Sequence, residues 1–326
     1  MKREKGSALL ITLLFMALMA ALAADMTISF QTQLQRSRRI NDTLQVKYAL
    51  FYSEAQARAD LQKALQSKTV PEEKPEPAGK RILSDTTQVN WRYEDAQHCY
   101  NLNALALAPT EPLATPPYSI TVFTALLEQA GVEKTQAREI VDSLADAIDP
   151  DTTPRRYGAE DEYYQQEALK PLPANQLFYL PSEVRRVKGM PPALYQKLSP
   201  YICAQFSSSL SININRLKEE DAPLLAALFS NDLTVEDAKA LLNKRPEGGW
   251  KSVDEFTWLA QKEFSAARPL VDVVKKLLTT RSSYFRIVAS AQQGELNAGM
   301  ITTLLYDDKN STFKIYQRQL IAGEED

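Results

Sequence analysis

The order of apolar and polar positions divides the chain into an apolar start, a long mixed helix, a short strand, a helical middle and a return to strands. Lys2, Arg3 and Lys5 precede Gly6, and the run from Ser7 to Ala24 is almost wholly apolar, interrupted only by Thr12. At about 1.5 Å per residue that run gives roughly 27 Å of helix, close to the ~30 Å hydrocarbon core of a bilayer. The basic residues ahead of it favour a cytoplasmic N-terminal end, with the rest of the chain sent outward. No Gly or Pro occurs between Ser7 and Val70. The apolar run therefore passes unbroken into a stretch carrying Met26, Phe30, Leu34, Ile40, Leu44, Phe51, Leu61 and Leu65 among polar residues, which predicts one helix continuing beyond the membrane.

Three readings of this start compete. One is a cleaved secretory signal with Ala21-Leu22-Ala23 as its small-residue site, and another is an ordinary single-span anchor. The third is a leader processed at the cytoplasmic edge of the apolar run, between Gly6 and Ser7. The place of Gly6 and the unbroken continuation favour the third.

Val70–Ser84, with Pro71, Pro75, Pro77 and Gly79, reads as an exposed loop ending the long helix. Gln88–Tyr93 alternates polar and apolar residues, the period of a half-buried strand. Pro109–Pro117 is a second punctuated linker. Helical patterns follow at Val122–Ala130, Lys134–Ala147, Pro181–Val187, Pro192–Leu198, Asp221–Leu228, Val235–Lys244 and Val253–Ala260. Ser283–Ala291, Met300–Tyr306 and Thr312–Ile321 return to strand-like runs. The expected fold class is α+β: a long N-terminal helix and a sheet built from both ends of the chain, with a large all-α domain inserted between. The expected divisions are 1–6 leader, 7–24 membrane span, 25–68 outer part of the helix, 69–105 first strands, 106–280 inserted helical domain and 281–326 last strands.

At 326 residues the chain can bury a sizeable core, and its net charge of −3 and pI of about 5.6 give no bulk attraction to nucleic acid. Cys99 and Cys203 are the two cysteines. An exported chain with one pair invites a disulfide, worth up to ~4.7 kcal/mol for a loop of about 100 residues in the chain-entropy model, while two buried thiols remain the alternative. His98 is the single histidine, and no nucleophile elbow, zinc-protease helix, phosphate loop or dinucleotide turn occurs, so catalysis is not expected.

Two segments carry chemical information. Asp146-Ala-Ile-Asp149-Pro-Asp151 leads into Gly158-Ala-Glu160-Asp161-Glu-Tyr-Tyr164, and carboxylates gathered in one loop suit a hard cation such as Ca²⁺. Asp149, Asp151 and Glu160 stand at the spacing of positions one, three and twelve of an EF-hand. Pro154 occupies the required glycine position and Arg155 and Arg156 lie inside, so the loop is not an EF-hand. An acidic loop paired with those arginines is the competing reading. Ser211–Trp258 has the look of a helix-hairpin-helix unit, yet its turn, Phe229-Ser-Asn-Asp-Leu233, lacks the glycines a phosphate contact requires. A packed structural module is the better reading.

Taken together, the chain resembles the minor pseudopilin K family of the type II secretion system (general secretion pathway protein K). Gly6-Ser-Ala-Leu-Leu-Ile-Thr-Leu-Leu resembles a prepilin-peptidase leader, Cys99-Tyr-Asn-Leu-Asn-Ala-Leu105 the family's Asn-Leu-Asn motif, and Ile212-Asn-Ile-Asn215 a second asparagine motif. Asp146–Asp151 and Gly158–Tyr164 are similar to its paired acidic segments, with Ala147 in place of the usual Trp, and Arg216-Leu217 replace a Thr-Ala. The resemblance implies a pilin-like fold whose α-domain contains helix-hairpin-helix or SAM-like units. It also implies bound calcium, with Asp149, Asp151, Glu160 and Asp161 as the leading ligands and Asp146 as a further candidate ligand. It further implies cleavage by a prepilin peptidase with methylation of the new N-terminus, minor pseudopilins I and J as partners, no nucleic acid, and the inner membrane of a Gram-negative bacterium with a periplasmic C-terminal domain. Most pilin-like subunits carry Glu at the fifth mature position, where Ile11 stands here, which marks a place at the tip of the pseudopilus. Competing readings are a minor subunit of a type IV pilus and a membrane-anchored DNA-binding protein.

Overall fold

The computed structural model describes residues 7–66, 79–109, 116–166 and 172–322. Gly6, the first part of Val70–Ser84 and the middle of Pro109–Pro117 lie outside them. Along the chain come α1 (Ser7–Gln66), β1 (Gly79–Ser84), β2 (Thr87–Asp95), β3 (Tyr100–Asn101), α2 (Tyr118–Gln129), α3 (Lys134–Ile148), α4 (Asp161–Gln166) and α5 (Pro192–Leu198). Then follow β4 (Ile202–Cys203), β5 (Ile212–Asn213), α6 (Ala222–Leu228), α7 (Val235–Leu242), α8 (Val253–Glu263), α9 (Val271–Lys275), β6 (Leu278–Thr279), β7 (Tyr284–Gln293), β8 (Leu296–Asp307) and β9 (Thr312–Ala322). Five strands from the two ends of the chain form one sheet in the order β1-β2-β7-β8-β9. The expected α+β class, with a helical insert, is the observed one.

The chain divides into two compact units. The first takes Met1–Arg92, Ile287–Ile301 and Gln319–Asp326. Within it α1 is long and apolar enough at its start to cross a membrane. Its apolar side chains from Leu9 to Leu34 are exposed, whereas Val46, Leu50, Ser53, Ala57 and Leu61 are buried in a helical stripe. Val89 and Trp91 on β2, Ile287, Ala289 and Ala291 on β7 and Met300 on β8 are among the buried sheet positions of this unit. Trp91 Nε1 donates to Asp60 Oδ2 at 3.0 Å, fixing the last turns of α1 to β2.

One expectation fails here. The described part of Val70–Ser84 is not loop but the edge strand β1, paired antiparallel with β2 from Gly79↔Trp91 to Ile82↔Gln88. Nearly every β1 side chain is exposed, so burial leaves no alternating signal in the sequence, and hydrogen bonding to β2 alone makes the strand. Gly79 is needed at its start, because a Cβ there would lie 2.2 Å from the Trp91 ring.

The second unit takes Tyr93–Arg286 and Thr302–Arg318. Its core runs through α2, α3, α6 and α7, with Phe123, Leu126, Ile140, Leu144, Leu225 and Leu241 among the buried side chains. β3 pairs with β4 and β5 with β6, each parallel and two residues long. Such short ladders satisfy few backbone groups, and buried asparagines supply the rest. Asn103 donates to Phe178 O (2.9 Å) and Gln205 O (2.8 Å) and accepts from Phe178 N (2.8 Å). Asn101 donates to Ser207 O and Ser209 O and accepts from Gln205 N. Asn215 accepts from Trp250 N at 2.7 Å and donates to Trp250 O at 3.0 Å. Cys99 and Cys203 are bonded beside this network, with Cα atoms 5.8 Å apart.

Replacing Asn103 by Ala strands three backbone groups at a fully buried position. With roughly 1–3 kcal/mol for each orphaned group, the variant should lose on the order of 3 kcal/mol or more. Denaturant unfolding of the full chain in detergent measures this, and a loss under about 1 kcal/mol would contradict the clamp.

Candidate functional site: a carboxylate cluster at the end of a helix

The acidic segment begins where α3 stops. Ala137, Ile140, Val141, Leu144 and Ile148 bury one face of α3, and Asp149 caps it by donating its N–H to Ala145 O at 3.1 Å. Pro150 cannot continue the helix, so the chain turns out into the loop before α4. Asp142 and Asp146, one turn apart on α3, reach across and hold that loop. Asp142 Oδ2 accepts from Tyr157 N at 3.3 Å, and Asp146 Oδ2 accepts from Ala159 N at 2.8 Å.

Asp146 is therefore an organiser and not a member of the cluster. It is fully buried and also accepts from the main-chain N–H of Arg155 (3.2 Å) and from Arg155 Nη1 (2.8 Å). Burial raises its pKa while Arg155 pulls the other way. Gly158 is obligatory beside it: a Cβ there would lie 1.7 Å from Asp146 Oδ2.

The structure brings Asp149, Asp151 and Glu160 together, with one carboxylate oxygen of each within 4.8 Å of the others. Asp161 is not in this group; it opens the first turn of α4, where a carboxylate is favoured by the helix N-terminus. Arg155 Nη1 binds Asp149 Oδ2, and Arg155 Nη2 donates to Ala108 O at 2.7 Å. Thus one oxygen of Asp149 is spent on the arginine, while Oδ1 is buried without a hydrogen-bond partner among the described residues. Glu160 is 4 % exposed, and both of its carboxylate oxygens are buried without a hydrogen-bond partner among the described residues. Burial first, then the charges of Asp146, Asp149, Asp161 and Asp151, push the Glu160 pKa up to about 7. Three unpaired hard oxygens converging under like-charge repulsion fit a divalent cation better than a solvated loop. The competing arginine pairing holds for one arginine only: Arg155 joins the acids, and Arg156 lies over the Tyr157 ring, 5.3 Å from its centre.

The second segment resolves differently. Ser230 and Asn231 adopt left-handed backbone (φ 53° and 63°) in the turn between α6 and α7, where a phosphate-binding hairpin would carry glycine. Asn231 accepts from Gln129 and donates to Ala125 O at 3.0 Å, and Tyr118 Oη donates to Leu228 O at 2.9 Å. The turn's polar groups are spent against α2, so the module packs instead of presenting amides to phosphate. His98 precedes β3, next to Cys99, whose sulfur is in the disulfide.

Sequence reading missed the part of Arg155, which was grouped with Arg156 as generic counter-charge. Its position nine residues after Asp146 gives no periodic signal.

A long helix packed by one stripe in a unit shared with sheet strands from both ends of the chain, with a helical insert between them, defines a pilin-like subunit. A family model described as type II secretion system (T2SS), protein K matches residues 98–206, and a second of the same description matches residues 212–281. A putative type II secretion system protein K of Escherichia coli K12 is 43 % identical over 321 residues, covering 97 % of this chain and 98 % of the relative. The type II secretion system protein K of Klebsiella pneumoniae is 36 % identical over 97 % of this chain and 96 % of its own length. A chain in the crystal structure of the GspK-GspI-GspJ complex from enterotoxigenic E. coli superposes with a TM-score of 0.74 at 31 % identity, covering 89 % of this chain and 100 % of that one. The chain belongs to the type II secretion system protein K family, the minor pseudopilins K.

The raised Glu160 pKa sets a pH test. A carboxyl that titrates higher folded than unfolded holds its proton in the native state. Metal-free stability from this group is full below about 4.5 and is lost as pH rises towards 7. In chelator at pH 7.5, Glu160→Gln should melt above the parent by roughly 2–4 °C, a difference that disappears near pH 4.5. Differential scanning fluorimetry reads it, and a parent that melts equally high at both pH values relative to the variant would contradict the repulsion.

Proposed function

We propose that the chain is a non-catalytic minor pseudopilin at the tip of the pseudopilus, assembled with minor pseudopilins I and J and helping to initiate assembly for export across the outer membrane. A prepilin peptidase cleaves it between Gly6 and Ser7, the new N-terminus is methylated, and α1 anchors it in the inner membrane of a Gram-negative bacterium with the rest in the periplasm. The observation that carries this reading is the division of labour along α1. Its outer half buries one stripe in its own unit, while Leu44 and Tyr48 lie on roughly the opposite face and stay 47 % and 71 % exposed. Phe30, Leu34, Leu44 and Tyr48 follow a spacing that fits packing between neighbouring spines. The structural relative's complex with GspI and GspJ supports the choice of partners.

Ile11 supports the tip position. It replaces the carboxylate that would neutralise a neighbour's amino terminus within the bilayer, where an unpaired charge is expensive. The bulk of the helical insert likewise suits an end position better than a place along a thin filament.

Asp149, Asp151 and Glu160 would hold one Ca²⁺, with Arg155 keeping Asp149 oriented. Bound calcium supplies the positive charge that these carboxylates gather around, and it turns a repulsive cluster into a strap from the end of α3 to the start of α4.

Co-expression with the two partners tests the assembly. The parent should co-purify with both, and Tyr48→Asp should reduce recovery severalfold, as expected of an interface anchor. Ile11→Glu should be poorly tolerated or displaced from the tip; unchanged incorporation would count against the positional argument. Calorimetric titration tests the metal: the parent should bind calcium, and Glu160→Gln should weaken binding about tenfold or more. No heat of binding to the parent would overturn the calcium reading.

A further inference from the structure

We infer that a groove in the second unit is a docking site for an acidic peptide segment of a partner protein, gripped by Arg138 and Arg156 beside the Tyr157 ring. The groove is lined from α2, from α3 and from the loop before α4, and its volume is about 710 Å³. Sites that enclose a ligand run from roughly 300 to 1,000 Å³, so this one has room for a short stretch of chain. Pro109, Ile120, Ala125 and Val141 supply its apolar lining. None of the three clustered carboxylates takes part, so this surface stands or falls apart from the calcium reading.

The charged lining is unbalanced. Lys134, Arg138 and Arg156 all face solvent there, and none of the three makes an ion pair among the described residues. Of the two acids in the lining, Asp142 already accepts from the Tyr157 N–H at 3.3 Å. The other, Glu128, is exposed near the end of α2.

Both guanidiniums gather on one aromatic ring. Cζ of Arg138 lies 5.8 Å from the centre of the Tyr157 ring, and Cζ of Arg156 lies 5.3 Å from it. Tyr157 itself is 40 % exposed. The ring attracts each cation but carries no net charge, so two positive charges meet at one spot without a counter-ion. A guanidinium resting on a ring keeps its N–H groups for acceptors in its own plane, the geometry that a carboxylate matches with two parallel hydrogen bonds.

A small anion alone would answer the arginines and leave the apolar lining to water. A peptide carrying Glu or Asp next to apolar side chains answers both, and arginine clusters recognise acidic motifs in this way. Nothing in the sequence announces the pair: Arg138 is on α3 and Arg156 in the following loop, and only the fold brings them to one ring.

Fluorescence anisotropy tests the site on the full chain in detergent at low salt, with a fluorescein-labelled octapeptide alternating Glu and Leu as the probe. The parent should bind it saturably, and a matching peptide of Gln and Leu should bind about tenfold more weakly. Arg138→Gln and Arg156→Gln should each weaken binding of the acidic probe about fivefold or more. Lys276→Gln, which removes a charge of the same unit outside the groove, should bind like the parent. Absence of saturable binding, or equal affinity for the two peptides, would overturn the assignment. An equal loss in Lys276→Gln would overturn it too, by reducing the effect to bulk charge. Full displacement of the probe by inorganic phosphate at the same concentration would make this a small-anion site and overturn the peptide assignment.

Discussion

Everything else in this protein depends on one long helix whose two ends present different surfaces. α1 runs from Ser7 to Gln66 without Gly or Pro, its apolar side chains from Leu9 to Leu22 exposed, its outer part buried along a single stripe from Val46 to Leu61. Burying Leu50 and Leu61 is worth roughly 1.5–3 kcal/mol each, which holds the outer half in place. Among the described residues nothing buries the side chains from Leu9 to Leu22, and this segment is long and apolar enough to cross a bilayer.

The second unit solves a different problem with polar groups. It is rich in short elements, and two-residue ladders leave main-chain donors and acceptors to be satisfied by other means. Asn101, Asn103, Asn213 and Asn215 do this with side-chain amides that can donate and accept at once. The carboxylates follow the same logic up to a point. Asp142 and Asp146 are consumed in holding the loop, whereas Glu160 is left unpaired. The contrast between satisfied and unsatisfied acids in one segment separates scaffold from candidate ligand.

Much of this was legible from the sequence. The helix was readable because breakers are missing over a long stretch, β2 because its residues alternate, and β7, β8 and β9 because they are β-prone runs separated by turn residues. α3 and α5 were readable from apolar spacing and bounding prolines. β1 was not, since an edge strand with exposed side chains has no burial pattern. α4 was hidden as a short element starting inside an acidic motif. At the site, spacing brought Asp149, Asp151 and Glu160 together, and the structure places these three as a group. Asp161 instead opens the first turn of α4, a short helix that the acidic spacing did not reveal. Arg155 reaches its place through tertiary folding, which no local pattern records. The asparagine motifs were noticed as family marks, but their work as clamps depends on partners as far away as Phe178 and Trp250.

The most direct measurement is intact-mass and N-terminal analysis of the chain produced with and without a prepilin peptidase. A membrane-anchored pseudopilin predicts a mature start at Ser7 only when the peptidase is present, leaving α1 whole. A start near Ala24, or no processing in either case, would contradict it, because the helix joining membrane and fold would then be cut away or anchored by another route.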